Sequence, residues 1–148
     1  MKILAVPDLH CWPENYSRPN ESGVPSRLID WMTTADALVE LAKREKVALA
    51  VAPGDFFTNP KPPARAIIEI ANLFECLTDE GVPVIGCNGN HDVGGPGQMG
   101  PVDVIAKLGH WAWGITGPGL VPEAGIQVAV LPWVKPAALL QDSETAGD

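Results

Sequence analysis

Residues 82–92 read VPVIGCNGNHD, an apolar run that changes abruptly into glycine and polar residues. A short apolar run bounded by Pro and Gly is typical of a buried strand. We therefore predict a strand over Pro83–Cys87, followed by a glycine-rich loop. This arrangement places Asn90, His91 and Asp92 just beyond the carboxyl end of the strand.

Two segments nearer the N-terminus have the same arrangement. Lys2–Val6 is apolar and leads into Asp8-Leu9-His10, and Val47–Ala52 is apolar and leads into Gly54-Asp55. In open α/β sheets, ligands bind at the carboxyl ends of the strands. We therefore expect the three polar clusters to converge at one edge of the sheet, although they are far apart in sequence.

The segments between these strands contain apolar residues at helical spacing. We predict helices over Arg27–Lys46, with Ser26 as N-cap, over Ala64–Asp79, and over Val102–Leu108. Further strands are predicted over Trp111–Ile115 and Ile126–Leu131. About five strands alternating with two long helices and one short helix indicate an α/β fold, with a mostly parallel sheet covered on both faces.

Composition places the chain among globular intracellular proteins. It has 148 residues, of which 46% are hydrophobic and 19% charged, enough for a core in one domain. No signal peptide or membrane-spanning run is evident. Three cysteines without a C-x-x-C motif fit a reducing compartment, so we predict a cytoplasmic location without membrane attachment. Cys76 and Cys87 are interpreted as core residues, and Cys11 as a loop residue rather than a soft metal ligand.

The net charge of −8 argues against broad, non-specific binding to nucleic acid, which needs a basic surface. A nuclease stays compatible with this charge, because carboxylates that hold metal ions add to the negative formal charge and bound cations reverse the local field. DNA as substrate would then require a partner that supplies positive surface.

The three polar clusters contain the ligand types of hard and borderline divalent cations. Asp8 and His10 are two residues apart, so an extended segment would point both side chains the same way. Asp55 has two oxygens that can bridge two ions, and Asn90 offers a neutral oxygen. Each cluster alone also occurs in ordinary turns. Their succession, each directly after an apolar strand, favours a metal site over turns alone.

The D-x-H, G-D and G-N-H-D motifs resemble those of the calcineurin-like metallophosphoesterase superfamily. Four further features are similar to the nuclease subunit of SbcCD-type DNA repair exonucleases: Ser26-Arg27, Gly54–Pro62, Val82-Pro83-Val84 and Leu131-Pro132-Trp133. The resemblance implies a metallophosphoesterase-type sheet sandwich with flanking helices. Residues 1–135 would be its N-terminal portion, so the domain is expected to be truncated, and residues 136–148 a flexible acidic tail.

The resemblance also implies a role for each site residue. Asp8 and His10 would bind a first metal ion, Asp55 would bridge two ions, and Asn90 would bind the second. His91 would face the scissile phosphate and stabilise or protonate the leaving oxygen, with Asp92 orienting it.

The implied reaction is metal-dependent phosphodiester hydrolysis by two divalent ions and a bridging hydroxide. Manganese is the expected ion, with Mg²⁺, Fe and Zn²⁺ as alternatives. DNA is the expected substrate, an SbcC-like ATPase the expected partner, and a homodimer is compatible with the resemblance.

The chain departs from the family pattern in its histidines. The family uses a later His and a G-H-x-H pair to complete both metal shells, but this chain has only His10, His91 and His110. His110 is interpreted as a helix-end residue. The first ion therefore lacks one family ligand and the second lacks two. We expect weak or no turnover by residues 1–148 alone.

Two alternative functions stay open at this point. A phosphatase or a cyclic-nucleotide phosphodiesterase could use the same scaffold. A non-catalytic protein-binding module, or an inactive fragment, would explain the absent histidines but not the retained metal-type groups.

Overall fold

The computed structural model describes residues 1–12, 17–95, 98–109, 114–115 and 119–134. The elements in chain order are β1 Ile3–Ala5, α1 Ser26–Glu45, β2 Leu49–Ala52, α2 Ala64–Asp79, β3 Val84–Cys87, α3 Pro101–Leu108, β4 Gly114–Ile115, β5 Gly119–Glu123 and β6 Ile126–Val130. This alternation confirms the predicted α/β fold class. The acidic tail, His110 and the first three residues of the predicted strand Trp111–Ile115 lie outside the described residues.

Strands β1 to β4 form one sheet in sequential order, and every neighbouring pair is parallel. A helix connects each strand to the next, as parallel neighbours require. Side chains alternate between the two faces of the sheet. Ala50, Ala52 and Val84 pack in the core that the helices cover, whereas Leu49 and Ile85 face the opposite side.

On the opposite face, β5 and β6 form a two-stranded antiparallel sheet, which packs on the four-stranded sheet through β6. Val130 of β6 packs with Leu49, Ile85 and Cys87 in a second, smaller core. The sequence pattern predicted β6 but not β5, because Pro122 and a terminal Gly make β5 look like a loop. The sequence signal that could have predicted β5 was the two-residue turn Ala124-Gly125. Both residues have positive φ, 49° and 77°, as a tight hairpin of this kind requires.

Helix α1 begins one residue earlier than predicted, and Ser26 is not its N-cap. Pro25 occupies the cap position without a side-chain hydrogen bond, and its carbonyl accepts the amide of Leu28 at 3.0 Å. The Ser26 hydroxyl instead accepts the amide of Arg18 at 3.2 Å. Ser26 therefore joins the preceding loop to the helix instead of capping the helix.

The three cysteines have different environments, and no disulfide joins them. Cys87 is buried, as predicted, but Cys76 is exposed on α2, so its assignment to the core was wrong. Helical spacing places Cys76 beside the buried Leu73 and Leu77, yet its own direction is outward. Cys11 is fully buried and packs in the main core. Burial, followed by the nearby Glu69 carboxylate, raises the pKa of the Cys11 thiol to about 12.

We predict that thiol reagents distinguish these cysteines in the folded chain. Iodoacetamide at about pH 8 should alkylate Cys76 rapidly and leave Cys11 and Cys87 unmodified, because only thiolates react and burial raises the pKa of both inner thiols. Peptide mass spectrometry over a time course measures the three rates, and urea-unfolded chain is the control in which all three react. Alkylation of Cys11 at the rate of Cys76 in the native chain would contradict the burial described.

Candidate metal centre

The pairing of β1 with β2 continues beyond both strands and aligns the loops that follow them. The amides of Asp8 and His10 donate to the carbonyls of Gly54 and Asp55, at 3.3 and 3.0 Å. The amide of Cys11 donates to the carbonyl of Phe56 at 2.7 Å. These backbone bonds hold the D-x-H segment against the G-D segment. The first two polar clusters therefore converge at the carboxyl edge of the sheet.

The convergence brings three ligand types together. One ligand atom from each of Asp8, His10 and Asp55 lies within 4.8 Å of the others. Asp8 is exposed, whereas His10 and Asp55 are half-buried, so the cluster opens to solvent on one side. Two carboxylates and an imidazole at this spacing form a donor set for one divalent cation.

The backbone at Asp8 and His10 is not the extended segment that was predicted from their spacing. Asp8, His10 and Asp55 have φ values of 54°, 40° and 53°, all in the left-handed region. Residues other than glycine rarely adopt this conformation, which costs about 1–3 kcal/mol each and persists only where surrounding structure enforces it. Asp8 and His10 do converge, but through turned backbone rather than through alternation along a strand.

The His10 ring is oriented by a backbone group of the neighbouring loop. Its Nδ1 lies 3.2 Å from the carbonyl oxygen of Phe57. A carbonyl only accepts hydrogen bonds, so this contact favours, in the neutral ring, the tautomer with the proton on Nδ1 and the lone pair on Nε2. This second partner is the usual way in which proteins fix the tautomer of a metal-binding histidine. The sequence gives no signal for this contact, because Phe57 contributes its main chain.

Helix α1 and the β2–α2 loop anchor the D-x-H loop from behind. The indole Nε1 of Trp31 donates to the carbonyl of Leu9 at 2.9 Å, and the hydroxyl of Thr58 donates to the carbonyl of Trp12 at 3.2 Å. Leu9 lies between the two ligands Asp8 and His10. The Trp31 bond therefore supports the loop at its centre.

The G-N-H-D loop after β3 contacts both the loop that carries Asp55 and the loop that carries His10. The amide of His91 donates to Oδ1 of Asp55 at 3.1 Å. The rings of His91 and His10 lie edge to face, with centroids 5.4 Å apart at 79°. Asn90 is exposed on the same loop, next to His91. The structure thus brings His91 to the cluster. Binding of a metal ion by Asn90, the exposed neighbour of His91, stays a prediction.

Two glycines permit the close approach of the loop after β2, the second loop, and the loop after β3, the third loop. Gly54 has a φ of 110°, and a Cβ there would lie 2.5 Å from the Gly89 nitrogen. A Cβ on Gly89 would overlap the carboxylate and amide of Asp55. Any larger residue at Gly89 would displace the Asp55 ligand.

Asp92 joins the second and third loops through its carboxylate. It is fully buried and accepts the amides of Phe56, Phe57 and Gly89 at 3.3, 3.2 and 2.9 Å. Burial raises the pKa of Asp92, the three amides oppose that shift, and the Asp55 carboxylate adds to it. This linkage was not predicted from the sequence. Orientation of the His91 ring by Asp92 stays a prediction.

Residues 1–131 match the family described as calcineurin-like phosphoesterase. The chain belongs to this family.

Two archaeal relatives are similar to this phosphoesterase chain, and each is described as a DNA double-strand break repair protein Mre11. The protein from Aeropyrum pernix is 32% identical over 91 residues, and the one from Sulfolobus acidocaldarius is 29% identical over 92 residues. Each match covers 62% of this chain but only 21% and 22% of the relatives. The matched region thus spans about a fifth of the length of either relative.

The donor set of this phosphoesterase chain fits a divalent cation. The fit rests on the spacing of the ligand atoms, on the His10 tautomer that leaves Nε2 available, and on the solvent-open side of the cluster. Two carboxylates this close repel each other, and a bound cation would offset that repulsion.

We predict saturable manganese binding that depends on this cluster. Calorimetric titration of the wild-type chain should show at least one site, and Asp8→Asn should abolish it because a neutral amide replaces an anionic ligand. Asp30→Asn, which neutralises an exposed carboxylate on α1, is the matched control and should bind like wild type. A stoichiometry of two would mean that other groups replace the absent histidines. Equal binding by wild type and Asp8→Asn would exclude the proposed ligand set.

We also predict that Asp92 stabilises the fold without any metal. Asp92→Ala leaves buried amides without acceptors, each at a cost of about 1–3 kcal/mol, so the free energy of unfolding should fall by more than about 2 kcal/mol. Urea denaturation in the presence of a chelator measures this, with exposed Asp30→Ala as the control. If Asp92→Ala lowers the free energy of unfolding no more than the control does, water must satisfy these amides equally well.

Proposed function

We propose that this chain contributes the metal centre of a phosphodiesterase that acts on DNA, as a nuclease subunit of SbcCD type. The proposal rests on the juxtaposition of the Asp8, His10 and Asp55 ligand atoms with the His91 ring, which contacts His10. A binding module without catalysis has no physical need for this combination.

Asp8, His10 and Asp55 would hold the first divalent ion, and Asp55 and Asn90 a second, with manganese as the preferred ion. Bound divalent ions supply Lewis-acid polarisation of a phosphoryl oxygen and charge neutralisation. The carboxylate of Asp55 is fixed by the His91 amide, which keeps one oxygen directed at the third loop.

His91 would act on the leaving group. Its ring borders the cluster, and its backbone is held by Asp55, so the imidazole can meet a phosphodiester bound at the metal centre. From this position His91 would donate a proton to the leaving oxygen, a contribution typically on the order of a hundredfold or more. Asp92 would keep the loop that carries His91 in place through its bonds to backbone amides.

DNA as substrate is supported by the two relatives, which are named as proteins of DNA double-strand break repair. The charge of −8 does not favour DNA binding by this chain alone. We therefore include in the proposal a partner that supplies positive surface, an SbcC-like ATPase, with a homodimer as the assembly that presents two centres. The free cysteines support a cytoplasmic location.

Hydrolysis of model substrates tests the proposal. With Mn²⁺, the chain should cleave bis(p-nitrophenyl) phosphate and an end-labelled DNA duplex slowly, because two family ligand motifs are absent. The rate should fall to background in Asp55→Asn and by about a hundredfold in His91→Asn, while His91→Asn keeps its manganese affinity. Asp30→Asn is the control with unchanged rate.

The outcomes separate the alternative functions. A faster rate with p-nitrophenyl phosphate than with the diester would indicate a phosphatase, and preference for a cyclic nucleotide would indicate a cyclic-nucleotide phosphodiesterase. Manganese binding without any Asp55-dependent hydrolysis would overturn catalysis by residues 1–148. A fast rate that Asp55→Asn abolishes would overturn the expectation of weak turnover.

A further inference from the structure

A groove runs along the helical side of the molecule, between α1 and α2. Its volume is about 390 Å³. Five half-buried or buried apolar side chains line it: Trp31, Met32, Ala35, Val39 and Leu73. It involves neither the ligands of the metal centre nor the face on which β6 packs. A partly exposed apolar floor of this kind is typical of a site for another element.

The rim of the groove is acidic. Asp36 from α1 and Glu75 and Asp79 from α2 are exposed along it, and no Lys or Arg lines it among the described residues. Glu69, also in the lining, is buried and paired with Arg65, so its charge is already neutralised. The three rim carboxylates therefore present uncompensated negative charge around the apolar floor.

We propose that this groove binds a basic amphipathic helix of a partner protein. Apolar residues on one face of such a helix would pack between α1 and α2, as helices do in grooves of this type, and flanking Lys or Arg side chains would meet the acidic rim. The charge argues against a second copy of this chain as the occupant, because each copy carries a net charge of −8. The inference is independent of the proposed hydrolysis.

A synthetic probe tests the inference without a known partner. The probe is an amphipathic Leu/Lys peptide of about 18 residues, roughly five helical turns. A peptide with Glu in place of every Lys is its control. Fluorescence anisotropy of labelled peptide should show saturable binding of the Lys form alone, weakened by added NaCl, because rim charges set the salt dependence of association.

Two triple variants distinguish peptide binding in the groove from non-specific attraction to the overall negative charge of the chain. Asp36→Asn with Glu75→Gln and Asp79→Asn should weaken binding of the Lys peptide by about tenfold. Glu21→Gln with Asp30→Asn and Glu40→Gln removes the same charge from exposed positions that do not line the groove, and should leave the affinity within about twofold of wild type. Equal weakening by both triples would overturn the proposal.

A second pair of variants tests the apolar floor. Val39→Ala should weaken binding by about fivefold, because it removes buried methyl groups from the contact. Ile68→Ala, at an exposed aliphatic residue on α2 that does not line the groove, is its control and should have no effect. Unchanged binding by Val39→Ala, or self-association of the chain that Val39→Ala abolishes in sedimentation equilibrium, would overturn the basic-helix assignment.

Discussion

The buried carboxylate of Asp92 is the contact on which the candidate metal centre depends. It accepts amides from the loop after β2 and from the loop after β3, and so joins two segments that the sheet alone only brings near each other. The close approach of the two loops also requires glycine at positions 54 and 89, because two chains at that distance have no room for side chains between them. Once the two loops are joined, the Asp55 carboxylate and the His91 ring have fixed positions.

The conformational and electrostatic free-energy cost of this arrangement is concentrated at the three candidate ligands. Asp8, His10 and Asp55 all have left-handed backbone conformations, and two of them carry like charges in close proximity. Backbone hydrogen bonds between the first two loops and the support of Trp31 hold this unfavourable geometry in place. A cation that binds only the folded site would stabilise the fold by mass action, so that ligand strain and ion affinity are coupled. Such strain is typical of functional sites.

The two sides of the sheet have different roles. One side, under α1 and α2, supports the D-x-H loop through Trp31, which also lines the acidic groove. A single residue thus contacts the D-x-H loop and also lines the surface that we assign to a basic partner helix. The other side packs on β6 through Leu49, Ile85 and Cys87. Acidic side chains accordingly line both the candidate ion site at the strand ends and the groove rim between the helices.

The strand–helix alternation and the position of the three polar clusters could be predicted from the sequence, because apolar periodicity and the motifs after each strand are local signals. The sequence also identified Asp8, His10, Asp55 and His91 as groups that converge. Only the tertiary structure decided how they converge, through left-handed backbone and amide contacts. Main-chain partners such as the Phe57 carbonyl, or the amides that Asp92 accepts, belong to no side-chain pattern. Strand β5 and the exposure of Cys76 escaped prediction for a similar reason, since pairing and burial depend on neighbours distant in sequence.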